Sequence, residues 1–159
     1  MKNENIQEHK HRLARNLYKG KIIVSFTMCI SKNTKLFITD KIFLSMEQIL
    51  LECLKKESSE AHIYLLMPDH CHLLIEGKFE DSNLWKFAVS FKQKSGYWLS
   101  KNGYSEKWQK DFYDHILRKN EDVKKQILYT LKNPVRKGIV DDWKEYPFKG
   151  LTLYELNEW

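Results

Sequence analysis

From Ile22 to Ile30 the chain alternates: Ile22, Val24, Phe26, Met28 and Ile30 fall on one parity and Ile23, Ser25, Thr27 and Cys29 on the other. A period of two predicts a strand with one face in a core. Lys32-Asn33-Thr34-Lys35 is a polar connection. From Thr39 or Asp40 to about Lys56 the spacing becomes helical, with Ile42, Phe43, Met46, Ile49, Leu50 and Cys53 recurring behind a capping residue. Residues 61–67 and 70–77 read as two apolar strands separated at Pro68-Asp69, because proline lacks the amide donor that a continuous central strand needs. Asp81 or Ser82 opens a second helix, packed through Leu84, Phe87, Ala88, Phe91, Tyr97 and Trp98 and closed by Asn102-Gly103. A short strand follows around Phe112-Tyr113-Asp114-His115-Ile116. Then comes a third helix, capped by Asn120 and striped by Val123, Ile127, Leu128 and Leu131, which Pro134 ends or kinks.

The order strand, helix, strand, strand, helix, strand, with a helix added, is that of an α+β, ferredoxin-like fold: an antiparallel sheet with helices on one face and an additional helix. At 159 residues the chain has the size of one domain. We divide it into a basic N-terminal extension (1–21), a domain (22–150) and a short C-terminal tail (151–159).

Charge adds a direction to this picture. Lys and Arg number 27 against 21 Asp and Glu, a net +6, and the excess is concentrated near the start of the chain. That favours a polyanion partner over a neutral small molecule, although many soluble domains are basic without touching nucleic acid. Cys29, Cys53 and Cys71 are odd in number, widely spaced and without a CxxC pair, the usage of reduced cytosolic thiols. Nothing resembles a signal peptide, and no apolar run approaches the length of a membrane span, so no membrane partner is expected.

The candidate chemistry lies in Met67-Pro68-Asp69-His70-Cys71-His72 and in the later Tyr129 and Asn133. On a strand, His70 and His72 share a face and Cys71 points to the other. Paired imidazoles suit Mn, Zn, Co or Fe, and they can complete an oxygen-rich Mg site if carboxylates, an amide, phosphate and water fill the rest. Tyr129 and Asn133, four apart, share a helix face and could approach the same centre. Each feature also has a plainer reading: half-buried strand histidines, a packed aromatic, and a helix-end cap beside Pro134.

MPDHCHLLIEG (67–77), WQKDFYDHILR (108–118), YTLKNPVRKGIV (129–140) and YPF (146–148) together resemble the single-tyrosine HUH transposases, most closely their REP-associated branch. The resemblance covers about Ile22 to Gly150 and makes 22–150 the single-tyrosine transposase domain, with the added helix as its catalytic helix. It implies that His70 and His72 hold a divalent ion, Mg2+ or Mn2+, and that Asn133 completes the metal site. It also implies that Tyr129 is the nucleophile of a single-stranded DNA endonuclease and strand transferase acting through a covalent 5'-phosphotyrosine. The expected substrate is single-stranded DNA with hairpin or repeat ends, met in the cytoplasm. Related transposases can form dimers, which leaves a homodimer open. Cys71 stands where the family usually has a larger hydrophobic residue, a mild departure on the core side. Candidate DNA contacts are Arg12, Arg15, Lys32, Lys35, Lys92, Lys94, His115 and Arg118, and Trp108 and Phe112 could stack a base or simply pack. Two other readings stay open: a non-catalytic or regulatory DNA-binding protein of the same fold, and a metal hydrolase that activates water.

Overall fold

The computed structural model describes residues 14–36 and 39–159. Its strands β1 (Ile23–Cys29), β2 (Ser59–Leu66), β3 (His70–Gly77), β4 (Tyr113–Ile116) and β5 (Lys149–Gly150) form one antiparallel sheet in the order β4-β1-β3-β2-β5. Helix α1 (Asp40–Lys56) joins β1 to β2, and α2 (Leu84–Lys101) lies between β3 and β4. This is the expected ferredoxin-like architecture, with β5 added beside β2.

The sheet separates two main cores, and Leu65, Met67 and Tyr146 form a smaller third cluster. On one face Val24, Phe26 and Met28 of β1 and Cys71, Leu73 and Ile75 of β3 meet Met46 and Leu50 of α1 and Phe87 and Phe91 of α2. The strand residues lie two apart and the helix residues four apart, so each element turns a continuous apolar face to the other. On the opposite face Ile63 and Leu74 meet Ile127 and Leu131 of α3 (Val123–Leu131). Strand β2 serves both faces because its register shifts between Ala61 and Ile63. Ala61, Tyr64 and Leu66 thereby join the first core and Ile63 the second, a reset of parity that a regular strand cannot make.

Helix ends depart from the sequence reading where several capping residues compete. Thr39 caps α1 as expected, its hydroxyl accepting the Ile42 amide at 3.2 Å. Helix α2 starts after Asp81 and Ser82: Asn83 is the cap and accepts the Lys86 amide at 3.0 Å. Ser82 instead ties the preceding loop, accepting from the Lys78 and Phe79 amides and donating to the Ser58 carbonyl. Tyr97 points outward, 65% exposed, and Ser95 and Leu99 take the buried places. Asp122 rather than Asn120 caps α3, accepting the Lys125 amide at 3.2 Å.

After Leu131 the helix pauses at Lys132 and restarts as α4 (Asn133–Arg136), with Pro134 in its first turn, where a missing amide proton has no partner to lose. Beyond it the chain returns over the second core. Thr152 accepts the Ala61 amide at 2.8 Å, and Tyr154 and Trp159 pack near Ile127 and Leu131. At the other end Tyr18 is buried in the first core. No helix among the described residues is long and apolar enough to cross a membrane.

Candidate active site

The pleat of β3 buries Cys71 in the first core and turns His70 and His72 to the opposite face. Strand pairing supplies their neighbours: Cys29 lies opposite His70 and Thr27 opposite His72. The Asp69 carboxylate is 2.6 Å from His70 Nδ1, and the Thr27 hydroxyl is 3.2 Å from His72 Nδ1. With a proton on each Nδ1, both rings donate to these oxygens and are fixed in tautomer and orientation. Their Nε2 atoms then converge at 3.0 Å with the ring planes nearly perpendicular. The carboxamide of Asn133 lies 3.3 Å from His70 Nε2, and half a turn about its last bond brings amide oxygen in place of nitrogen.

Two facing lone pairs repel unless a proton or cation lies between them. Two nitrogens each about 2.1 Å from one divalent ion, and about a right angle apart, are separated by about 3.0 Å. The donor set therefore fits a cation that fills its remaining positions with water and phosphate oxygens. Burial above all, then the nearby His70, Arg136 and Lys137, pushes the His72 pKa down to about 3. His72 is thus neutral near pH 7, the form in which imidazole binds metal. Among the described residues no group of three or more His, Cys, Asp or Glu converges. The third polar group beside the two imidazoles is the Asn133 amide.

The histidines open into a pocket of about 580 Å³ that Tyr129 and Asn133 also line. Thr27, Cys29 and Tyr113 wall it from the sheet, and Arg136 and Lys137 make it cationic. Tyr129 is 66% exposed, and the Arg136 guanidinium lies over its ring, 3.7 Å from the centroid. The structure thus gathers His70, His72, Tyr129 and Asn133.

The candidate DNA contacts among the described residues lie elsewhere. Arg12 falls outside the described residues, and none of the others lines this pocket. Arg15 sits over the Trp85 ring at 5.1 Å. Lys32 and Lys35 are exposed near the turn after β1. Lys92 donates to the Gln109 and Lys110 carbonyls, and Lys94 is exposed on α2, whose helix covers the other face of the sheet. His115 and the Arg118 amide both bond the Glu121 carboxylate. Trp108 donates to Ser95 and packs against the first core, and Phe112 is buried in it.

The sequence reading did not single out Thr27, Asp69, Tyr113, Arg136 or Lys137. Arg136 carried a usable signal, since it lies seven positions after Tyr129, about two helical turns. Thr27 and Tyr113 did not, because only the pairing register of β1 with β3 and β4 brings them here.

Residues 19–125 match the family model described as transposase IS200 like. The chain belongs to that family. The matched stretch contains both histidines and ends four residues before Tyr129. A Haemophilus influenzae protein, provisionally named a REP-associated tyrosine transposase, is 25% identical over 135 residues, covering 77% of this chain and 76% of that relative. An Escherichia coli REP-associated tyrosine transposase is 22% identical over 126 residues, covering 77% and 72%. A solved REP-associated tyrosine transposase bound to a REP hairpin superposes with a TM-score of 0.71 at 19% identity. The match covers 83% of this chain and 78% of that chain, and establishes the shared fold.

Proposed function

We propose that this protein cleaves and rejoins single-stranded DNA beside a hairpin, with Tyr129 as nucleophile and His70, His72 and Asn133 holding a divalent cation, Mg2+ or Mn2+. The observation that carries this reading is the convergence of Tyr129, the facing imidazoles and the Asn133 amide on one pocket. Family membership supports DNA processing, and the solved relative bound to a REP hairpin supports the choice of substrate.

A phosphodiester resists nucleophiles because anionic oxygens surround its phosphorus. The cation, when bound, neutralises charge developing on a non-bridging oxygen. Asp69 and Thr27 keep both rings turned toward it, and Arg136 and Lys137 attract the phosphate to the same cavity. The Tyr129 oxygen forms a bond to phosphorus as the bond from phosphorus to the 3'-oxygen breaks. The phenol gives up its proton and the departing 3'-oxygen takes one up, leaving a 5'-phosphotyrosine and a free 3'-hydroxyl. Attack by a 3'-hydroxyl on that phosphotyrosine restores the phenol and joins the strands.

The test is a labelled single strand with a hairpin end, incubated with the protein and Mn2+. The expected result is a protein–DNA adduct that disappears in Tyr129→Phe. Cleavage that persists in Tyr129→Phe would point to activated water, and binding without any adduct to a non-catalytic DNA-binding protein.

A further inference from the structure

We infer that Arg136 seats the nucleophile: its guanidinium stacks on the Tyr129 ring and its in-plane N–H groups bind the phosphate that Tyr129 attacks. The inference rests on the reading of Tyr129 given above and adds a positioning residue to it.

Tyr129 is exposed over about two-thirds of its surface, so core packing does not fix its ring. In-line attack needs the phenol oxygen held opposite the leaving oxygen, and a ring free to swing loses that alignment. What covers the ring is Arg136, at 3.7 Å from guanidinium carbon to centroid. This is stacking distance, well inside the limit of about 6 Å for a cation over a ring. Other cation–ring contacts of the described residues are looser, such as Arg15 over Trp85 at 5.1 Å and Lys92 over Phe112 at 5.5 Å.

Stacking uses the faces of the guanidinium and leaves its rim free. The five N–H donors lie in the plane, in a fork that matches two oxygens of a phosphate. Arg136 lines the same pocket as the histidines, so the rim and the paired imidazoles serve one cavity. After attack the phosphate sits on the phenol oxygen at the ring edge, beside the stacked fork. Helix α4 couples the parts, because one turn carries both Asn133 and Arg136, and the Arg136 amide bonds the Lys132 carbonyl at 3.0 Å. Lysine at this position would keep the charge but lose both plane and fork.

The experiment compares wild type, Arg136→Lys and Arg136→Met in single-turnover adduct formation on a hairpin with a single-stranded flank in Mn2+, with DNA affinity measured separately. Arg136→Lys is expected to form adduct about tenfold more slowly while DNA affinity stays within about twofold, since charge is kept and orientation lost. Arg136→Met is expected to be slower still. In metal-free, DNA-free wild type, the Arg136 side-chain protons should be displaced upfield by the Tyr129 ring in NMR spectra, and the displacement should vanish in Tyr129→Leu. Wild-type rates in both Arg136 variants, with adduct formed, would overturn this inference alone. Absence of a ring-induced displacement would overturn it as well. Absence of adduct in wild type would remove the nucleophile reading and this inference with it.

Discussion

His72 lies where water is scarce and cationic side chains are close, and both facts set how acid acts on it. Unfolded, it takes a proton near its ordinary 6.5; folded, only near 3. Between those values the unfolded chain binds more protons. Stability from this residue is therefore full above about 6.5 and declines as pH falls toward about 3. Thermal unfolding of metal-free protein should show that decline, and His72→Gln should show a shallower one; parallel slopes would contradict the assignment. Metal binding gives a second residue-level prediction. His70→Ala and His72→Ala should each abolish or severely weaken Mn2+ binding in calorimetry, and Asp69→Ala should weaken it about 10- to 100-fold by releasing the His70 ring. His62 is the control: it is held between Glu76 and Tyr154 and lines no part of the pocket, so His62→Ala should reduce stability and leave Mn2+ affinity intact. The histidine pair and the Tyr129–Asn133 spacing were legible in the sequence, because period two and period 3.6 are local rules. The Thr27 hydroxyl beside His72 was not, since 45 residues separate them and only the β1–β3 register joins them.

Between α3 and α4 the helical ladder is broken. The Lys132 amide bonds the Leu128 carbonyl and the Arg136 amide the Lys132 carbonyl, but Pro134 has no amide proton for Thr130 four residues back. A proline within a continuous helix also clashes with that carbonyl, which accounts for the pause at Lys132. The break sets Asn133 against His70 while Tyr129 stays on α3. Pro134→Ala should let the two helices merge and weaken Mn2+ binding in calorimetry as Asn133 moves. Unchanged affinity would show that the break does not place the amide. The caps yielded less to sequence reading than the stripes for a related reason. Asn120 and Asp122 are both good caps on propensity, and Asp122 wins because its side chain meets the Lys125 amide at the start of the turn that buries Ile127. Asp122→Ala should then cost about 1 kcal/mol.

Across the whole molecule the sheet divides labour. One face, covered by α1 and α2, is a large apolar core, and the other carries the smaller core of α3 and, beside it, the histidine pocket. Antiparallel sheets tolerate two unlike faces because alternation sorts residues strand by strand, which is why the fold class could be read before any contact was known. The cationic side of the pocket was less legible. Arg136 ends the short helix that carries Pro134 and Lys137 follows it, and the docking of α3 on β2 and β3 turns them toward the histidines. Their position bears on the substrate. On the function proposed above, the pocket admits a backbone phosphate to half-buried imidazole nitrogens, which suits a flexible single strand better than a stiff duplex, and a hairpin supplies a fixed point from which that strand starts. In competition binding a hairpin with a single-stranded flank should outcompete matched duplex. Affinity should fall as salt rises, and replacing both Arg136 and Lys137 with Ala should reduce the steepness of that dependence by about one to two phosphate contacts. Equal affinity for duplex and hairpin across the salt range would mean that charge alone recruits DNA, and would leave the pocket without a preferred substrate.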